Sequence, residues 1–426
     1  MLNNLLVKEV LSNEASGNVN VVSFVDKLLE LALEQNASDI HIEPVEEQTR
    51  IRLRIDGLLY TAVEVPRSNH NAIVSRIKII SGMDIAEKRL PQDGRVDLLL
   101  AGCKVDLRIA TMPVVEGEKL VIRILDKGQQ LKKLDSLDFT EANLETYHKL
   151  ITQPHGLILI TGPTGSGKST TLYATLQELN DVKQNIITIE DPVEFKIKGI
   201  NQINVNNKAG LTFANGLRAI VRQDPNIIMV GEIRDAETAR IAVQAALTGH
   251  LVFSTMHTNN AIGAITRLVD LGIEPYLVAA CLRGVVAQRL VRRICSHCKK
   301  QYNAEAIERK LLDYYLIEHN DYEEFKYSGI IGRENVELID KKLVLQKGQG
   351  CCLCNETGYR GRVAVQEVLT VNDTLRELIN KSASEKELFE EAVSKGFTTL
   401  AQDCVGKALK GLTSFDEMLR VTYLNQ

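Results

Sequence analysis

The stretch Gly162–Thr170, GPTGSGKST, constrains this chain more than any other. Gly162, Pro163, Thr164, Gly165, Ser166, Gly167, Lys168, Ser169 and Thr170 satisfy G-x-x-x-x-G-K-[ST], after the apolar run LILIT and before the helical pattern TTLYATLQEL. A strand that turns through glycines into a helix lets successive backbone N–H groups wrap phosphate oxygens, and the helix N-terminus adds its positive end. In such a loop Lys168 lies on the β- and γ-phosphates of ATP and Ser169 holds Mg²⁺. A chance glycine-rich turn would not set strand, loop, lysine and helix in this order.

The pattern around the loop fits. From about residue 140, short apolar runs (GLILITG, NIITIED, NIIMVGE, HLVFST) alternate with helical patterns, as buried parallel strands with crossover helices do. Strand C-terminal ends are where ligands bind in open α/β sheets. There the sequence places Glu232 after NIIMVG, suited to a water-mediated Mg²⁺ contact, and Glu190, Asp191 and Glu194 in ITIEDPVEF. A carboxylate in this position orients or deprotonates an attacking water. His250 and His257 bracket the last run; His257, after it, is the better placed to sense the γ-phosphate, whereas His250 reads as a loop brace.

Upstream, residues 21–126 read as a smaller α+β domain. VVSFVDKLLELALEQNA is an amphipathic helix, and SDIHIEP, TRIRLRIDGLLYTAVEV, RVDLLLAGCKVDLRIATMPV and EKLVIRIL alternate with period two, as half-exposed antiparallel strands do. Residues 1–20 read as a leader segment and 127–139 as a linker. Residues 140–290 form the ATPase core, 291–365 a cysteine module, and 366–426 a helical C-terminal region.

The eight cysteines include two C-x-x-C pairs, Cys295/Cys298 and Cys351/Cys354. Two such turns suit tetrahedral Zn²⁺, although the spacer between them exceeds the roughly 15–20 residues of a simple ribbon. A redox C-x-x-C is the rival, but no thioredoxin-like unit surrounds either pair. Cys352 is a bystander, His297 is not needed as a ligand, and Cys103, Cys281 and Cys404 fall in apolar patterns expected to be core. The basic run VAQRLVRRICSHCKK reads as a solvated helix end. The net charge of −4 and the absence of Trp argue against a nucleic-acid translocase. With no targeting or membrane-spanning run, the expected place is the cytosol.

Together GPTGSGKST, TIEDPVEF, RQDPNIIMVGEIRDAETA and TGHLVFSTMHTNNA resemble the secretion ATPase superfamily that drives type II secretion and type IV pilus assembly. ASDIHIEP, RIRLRIDG and SRIKIISGMDIAEKRLPQDGR resemble the smaller, PAS-like domain that precedes its RecA-like P-loop domain. The likeness runs from about Val21 to the end; longer members carry a further N-terminal domain before that point. It implies a homo-hexameric, Mg²⁺-dependent ATPase, with ATP between the two domains and near a neighbouring subunit. Glu194 maps to the catalytic glutamate, Glu232 to the Walker B glutamate, and His250 and His257 to the histidine box. Arginines of the smaller domain would reach the phosphates: Arg89 and Arg95 first, since LPQDG between them reads as a turn presenting both, then Arg52, Arg54, Arg76 and Arg108. A tetracysteine insertion followed by TGYxGR marks assembly-type rather than retraction-type members. Their partner is an inner-membrane platform protein, at the inner face of the cytoplasmic membrane. A non-hydrolysing, nucleotide-gated scaffold is the remaining alternative, opposed by the intact lysine, serine and paired acids.

Overall fold

The computed structural model describes residues 20–100, 102–126, 131–317 and 343–422. The leader reading, 1–20, lies almost wholly outside the described residues, as does the start of the linker. The chain divides into two compact units. The first is Met1–Gln130 with Cys295–Cys298 and Gln349–Gly361; the second is Leu131–Ile294, Lys299–Gly348 and Arg362–Gln426.

In the first unit, Asn20 caps helix Val21–Glu34 by accepting the Val22 and Ser23 N–H groups. Six antiparallel strands follow: β1 (Asp39–Pro44), β2 (Gln48–Ile55), β3 (Leu58–Pro66), β4 (Gln92–Leu100), β5 (Cys103–Val114) and β6 (Gly117–Asp126), in the order β3-β2-β1-β6-β5-β4. Asp56 and Gly57, with φ of 48° and 88°, turn β2 into β3; both central positions of this two-residue hairpin need the left-handed region. The register sets Ile40 opposite Leu53 and Ile122, and Ile42 opposite Ile51. These residues are buried with Phe24, Leu28, Ile73 and Ile77 of helices Val21–Glu34 and His70–Ile80. Alternation leaves the other face charged.

The second unit holds a seven-stranded sheet. Its strands are β7 (Gly156–Thr161), β8 (Ile186–Glu190), β9 (Asn201–Asn204), β10 (Ile227–Val230), β11 (Leu251–Met256), β12 (Leu282–Ile294) and β15 (Tyr359–Thr370), ordered β15-β12-β7-β11-β10-β8-β9. The pairings from β9 through β12 are parallel. Every residue of β7, β8, β10 and β11 is buried, as expected of strands covered on both faces. Along β7, Leu157 and Leu159 enter one apolar layer and Ile158 and Ile160 the other. Strands β13 (Lys299–Asn303) and β14 (Val344–Gly348) form a separate antiparallel ribbon. Four helices, Asp373–Asn380, Glu385–Ser394, Leu400–Leu409 and Phe415–Thr422, close the C-terminal region.

Two sequence readings are corrected. The basic run is not a helix end: Leu282–Ile294 is one long strand, because Val285, Val286 and Val291 bury it within the sheet. Its arginines are bound, Arg292 to Glu417 (2.9 Å) and Arg293 to Asp138 (2.6 Å). Cys103 is exposed at the β4–β5 hairpin, while Cys281 and Cys404 are buried. The cysteine turns fall in the first unit, where Asn355 donates to Gln35 (2.5 Å) and the Gly361 N–H to Asp56 (2.8 Å), and β13 and β14 fall in the second.

Candidate nucleotide and metal sites

The loop Gly162–Gly167 joins β7 to helix Lys168–Leu179. Gly162 and Gly167 have φ of 143° and 89° and sit where a Cβ would collide with Gln288 of β12, so both the backbone turn and the space require glycine. Lys168 Nζ donates to the carbonyls of Gly162 (2.7 Å) and Pro163 (3.1 Å). Burial pulls its pKa down to about 8, against the attraction of Glu232. Ser169 and Thr170 lie exposed in the first helical turn.

Glu232 follows β10. The Gly231 N–H before it donates to Ile189 O (2.8 Å), and Thr255 Oγ1 donates to Gly231 O (2.7 Å), so the strand end is pinned from both sides. The Glu232 carboxylate pairs with Arg234 (2.6 Å) and faces His257 Nε2 at 3.7 Å. Burial and the Lys168 charge lower the His257 pKa, which favours the neutral imidazole at physiological pH. Lys168, Glu232 and His257 are thus brought together at the C-terminal ends of neighbouring strands.

The acid box resolves into different environments. Glu190 is buried and accepts from Thr188 Oγ1 (2.5 Å), Gln202 Nε2 (3.2 Å) and the Tyr173 hydroxyl, which makes it a structural anchor. Asp191 is exposed and Glu194 half-buried. The Glu194 N–H donates to Tyr173 Oη (3.0 Å), so the P-loop helix holds the acid box through one tyrosine. Tyr173 and Gln288 escaped the sequence reading. The available signal was a polar tip inside an apolar pattern, since a buried hydroxyl or amide needs a partner. His250 braces a turn through Ala245 O (2.9 Å) and lines a cleft of about 780 Å³ at the opposite, N-terminal edge of the strands. That cleft lies away from the phosphate loop.

In the first unit the candidate arginines engage carboxylates. Arg95 binds both oxygens of buried Asp106, Nε to Oδ1 at 2.8 Å. Arg89 forks onto Glu87, whose carboxyl its hydrogen bonds hold down to about 2. Arg52 pairs with Glu43 (2.7 Å), Arg54 with Asp39 (3.6 Å) and Arg76 with Asp26 (3.7 Å). Arg108 stands opposite Arg95 across the β4–β5 register. LPQDG is not one turn: β4 begins at Gln92, whose amide closes the preceding loop onto Asp84 and Glu87 carbonyls. Arg89 and Arg95 therefore leave from a loop and a strand.

Cys295, Cys298, Cys351 and Cys354 bring their sulfurs within 4.8 Å of one another. Cys295 to Cys351, Cys298 to Cys354 and Cys351 to Cys354 are 3.9, 3.8 and 3.6 Å apart. A tetrahedron with zinc–sulfur bonds of about 2.3 Å has edges of about 3.8 Å, so the donor set fits Zn²⁺. The Cys351 and Gly358 N–H groups donate to Cys354 Sγ (3.2 and 3.3 Å), as amides do to a thiolate knuckle. Cys352 is exposed and outside this group.

Comparison with known proteins identifies relatives of this chain. The family model described as "Type II/IV secretion system protein" matches residues 14–420. The Type II secretion system ATPase E of Vibrio cholerae is 47% identical over 409 residues, covering 96% of this chain and 76% of that protein. The type IV pilus assembly ATPase PilB of Thermus thermophilus is 47% identical over 401 residues, 94% of this chain and 42% of that protein. Among solved structures, the Legionella pneumophila ATPase DotB shares the fold with a TM-score of 0.65 at 21% identity, covering 95% of this chain and 96% of that one.

Proposed function

The chain belongs to the type II/IV secretion system protein family and is a secretion or pilus motor ATPase, and on that premise we propose that it is of the assembly type and works as a Mg²⁺-dependent homo-hexamer. The observation that carries the catalytic reading is the convergence of Lys168, Glu232 and His257, with Glu194 tied to the same P-loop helix. Lys168 and the loop amides bind the ATP phosphates, and Ser169 would hold Mg²⁺, which neutralises phosphate charge when bound. Glu194 takes the proton from the attacking water. Glu232 would orient the metal's water shell, and neutral His257 would hydrogen-bond near the γ-phosphate. Arg95 and Arg89 of the first unit stabilise transition-state charge after exchanging their carboxylate partners for phosphate. The four thiols would hold structural Zn²⁺.

The work done is pseudopilus or type IV pilus assembly through an inner-membrane platform protein, at the inner face of the cytoplasmic membrane. Among the described residues no helix is long and apolar enough to cross a membrane. Replacing Glu194 with Gln is expected to abolish hydrolysis and spare ATP binding; hydrolysis that persists removes Glu194 as the base. Turnover stimulated by DNA rather than by the platform protein would redirect the motor reading to a translocase.

A further inference from the structure

Gln288 lies in the middle of β12, in the strand beside β7, and is 3% exposed. Its neighbours Val285, Val286, Ala287 and Val291 are apolar and buried, so packing alone would favour an apolar residue here. Burying a primary amide costs roughly 2 kcal/mol or more unless its hydrogen bonds are made. Its nitrogen and its oxygen each make one, and both bonds go to the phosphate loop or its helix. Nε2 donates to the Ser166 carbonyl (2.8 Å), and Oε1 accepts from Thr171 Oγ1 (2.7 Å). A carboxamide is a side chain with a donor and an acceptor in one rigid plane, which matches this carbonyl–hydroxyl pair.

The same residue limits both ends of the loop. A Cβ on Gly162 would lie 2.3 Å from the Gln288 carbonyl oxygen, and one on Gly167 would lie 2.6 Å from Nε2. Gln288 therefore meets the loop where it leaves β7, where it enters the helix, and at the Ser166–Gly167 peptide between. In a trans peptide C=O and N–H point opposite ways. Drawing the Ser166 carbonyl towards β12 turns the Gly167 N–H away from it.

We infer that Gln288 is a positioning residue for nucleotide binding: it fixes the Ser166–Gly167 peptide so that the Gly167 N–H is presented to the phosphates. The loop's conformation is set before ligand arrives, and binding does not spend free energy ordering it. The inference rests on this loop being the ATP site; a wild-type protein that binds no ATP defeats that reading instead.

The test uses the full chain with three substitutions. Gln288→Leu removes both side-chain bonds. Gln288→Met keeps the length and also removes both, leaving only a weak thioether acceptor. Thr171→Val removes only the bond to Oε1. Melting temperature, ATP affinity and the affinities of tripolyphosphate and adenosine are measured on each, at a temperature well below unfolding. Gln288→Leu and Gln288→Met are expected to weaken ATP and tripolyphosphate about tenfold and adenosine less than twofold, while Thr171→Val weakens all three less than threefold. Either Gln288 variant alone suffices if the other does not fold. Wild-type tripolyphosphate affinity in a folded Gln288 variant overturns the inference. So does a loss that follows melting temperature equally across all three variants, since that marks a merely structural role.

Discussion

The phosphate loop and the first unit hold their cations by different means. Lys168 rests on two backbone carbonyls, and burial draws its pKa down to about 8. Arg95 and Arg89 rest on carboxylates, Asp106 and Glu87. Neutral dipoles steady a charge without cancelling it, so a phosphate meeting Lys168 gains the full attraction. A carboxylate cancels the charge, so a phosphate meeting Arg95 must first displace Asp106. On the proposed reading the lysine would be a standing binding group, and the arginines would be groups whose use depends on partner exchange.

The sharpest way to break this contrast is at the lysine. Lys168→Ala is expected to lower ATP turnover by about three orders of magnitude, comparable to other losses of transition-state charge stabilisation. Steady-state hydrolysis at saturating ATP reads it. A variant within tenfold of wild type would mean that Lys168 stands no closer to the reaction than the paired arginines.

The thiol cluster is a third way of holding charge: four sulfurs within 4.8 Å, which as thiolates require a cation between them. Cys354→Ser is expected to remove a full equivalent of zinc and lower the melting temperature by roughly 10 °C. Cys352→Ser should change neither, because Cys352 is exposed outside the cluster. Metal analysis of the purified proteins with parallel melts checks both, and the reverse pattern would sink the ligand assignment.

Much of this was legible in the chain. The phosphate loop is local and needs only its own glycines and lysine, so GPTGSGKST announced it. The thiols were legible because C-x-x-C turns carry their geometry with them. Strand β12 was not. An arginine-rich run reads as solvated until Glu417 and Asp138, more than a hundred residues away in sequence, supply its partners. Glu190 and Glu194 look alike in ITIEDPVEF, where nothing marks the bonds that Thr188, Gln202 and Tyr173 make to the Glu190 carboxylate. The turn imagined for LPQDG failed because strand pairing with β5 claimed Gln92, Asp93 and Gly94.

A smaller effect concerns a buried acid that no motif marked. Glu367 on β15 accepts the N–H groups of Ala261 (2.6 Å) and Leu400 (2.8 Å), each at the start of a helix, so it joins the segment after His257 to the C-terminal helices. Burial raises its pKa to about 7, with Asp403 adding to the rise and the two N–H groups and Arg289 opposing it. The folded state then binds the proton more tightly than the unfolded chain. The associated stability is full below about pH 4.5 and is lost as pH rises to about 7, on the order of 3 kcal/mol. Glu367→Gln should flatten that part of the pH–stability curve, at the cost of one N–H acceptor. Asp403, paired with Lys407 (2.6 Å) and raised by its own burial, would leave a residual slope. Urea midpoints at pH 5 and 7.5 measure the difference; an unchanged slope shows that Glu367 stays ionised throughout.

The smallest expected effect tests partner exchange itself. If Arg95 reaches phosphate only by leaving Asp106, the two residues should affect turnover in opposite senses. Arg95→Ala removes a transition-state contact and should lower kcat about tenfold with little change in KM. Asp106→Asn keeps the shape of the carboxylate but removes its charge, so Arg95 is released more cheaply. Its expected result is kcat unchanged or raised up to about threefold, and a lower melting temperature because a buried polar group loses its charged partner. In the double variant the gain should vanish, since no guanidinium remains to be released. Equal losses from both single substitutions would place the pair in the architecture of the sheet, leaving Lys168 and the strand-end acids of the second unit to carry the reaction without it.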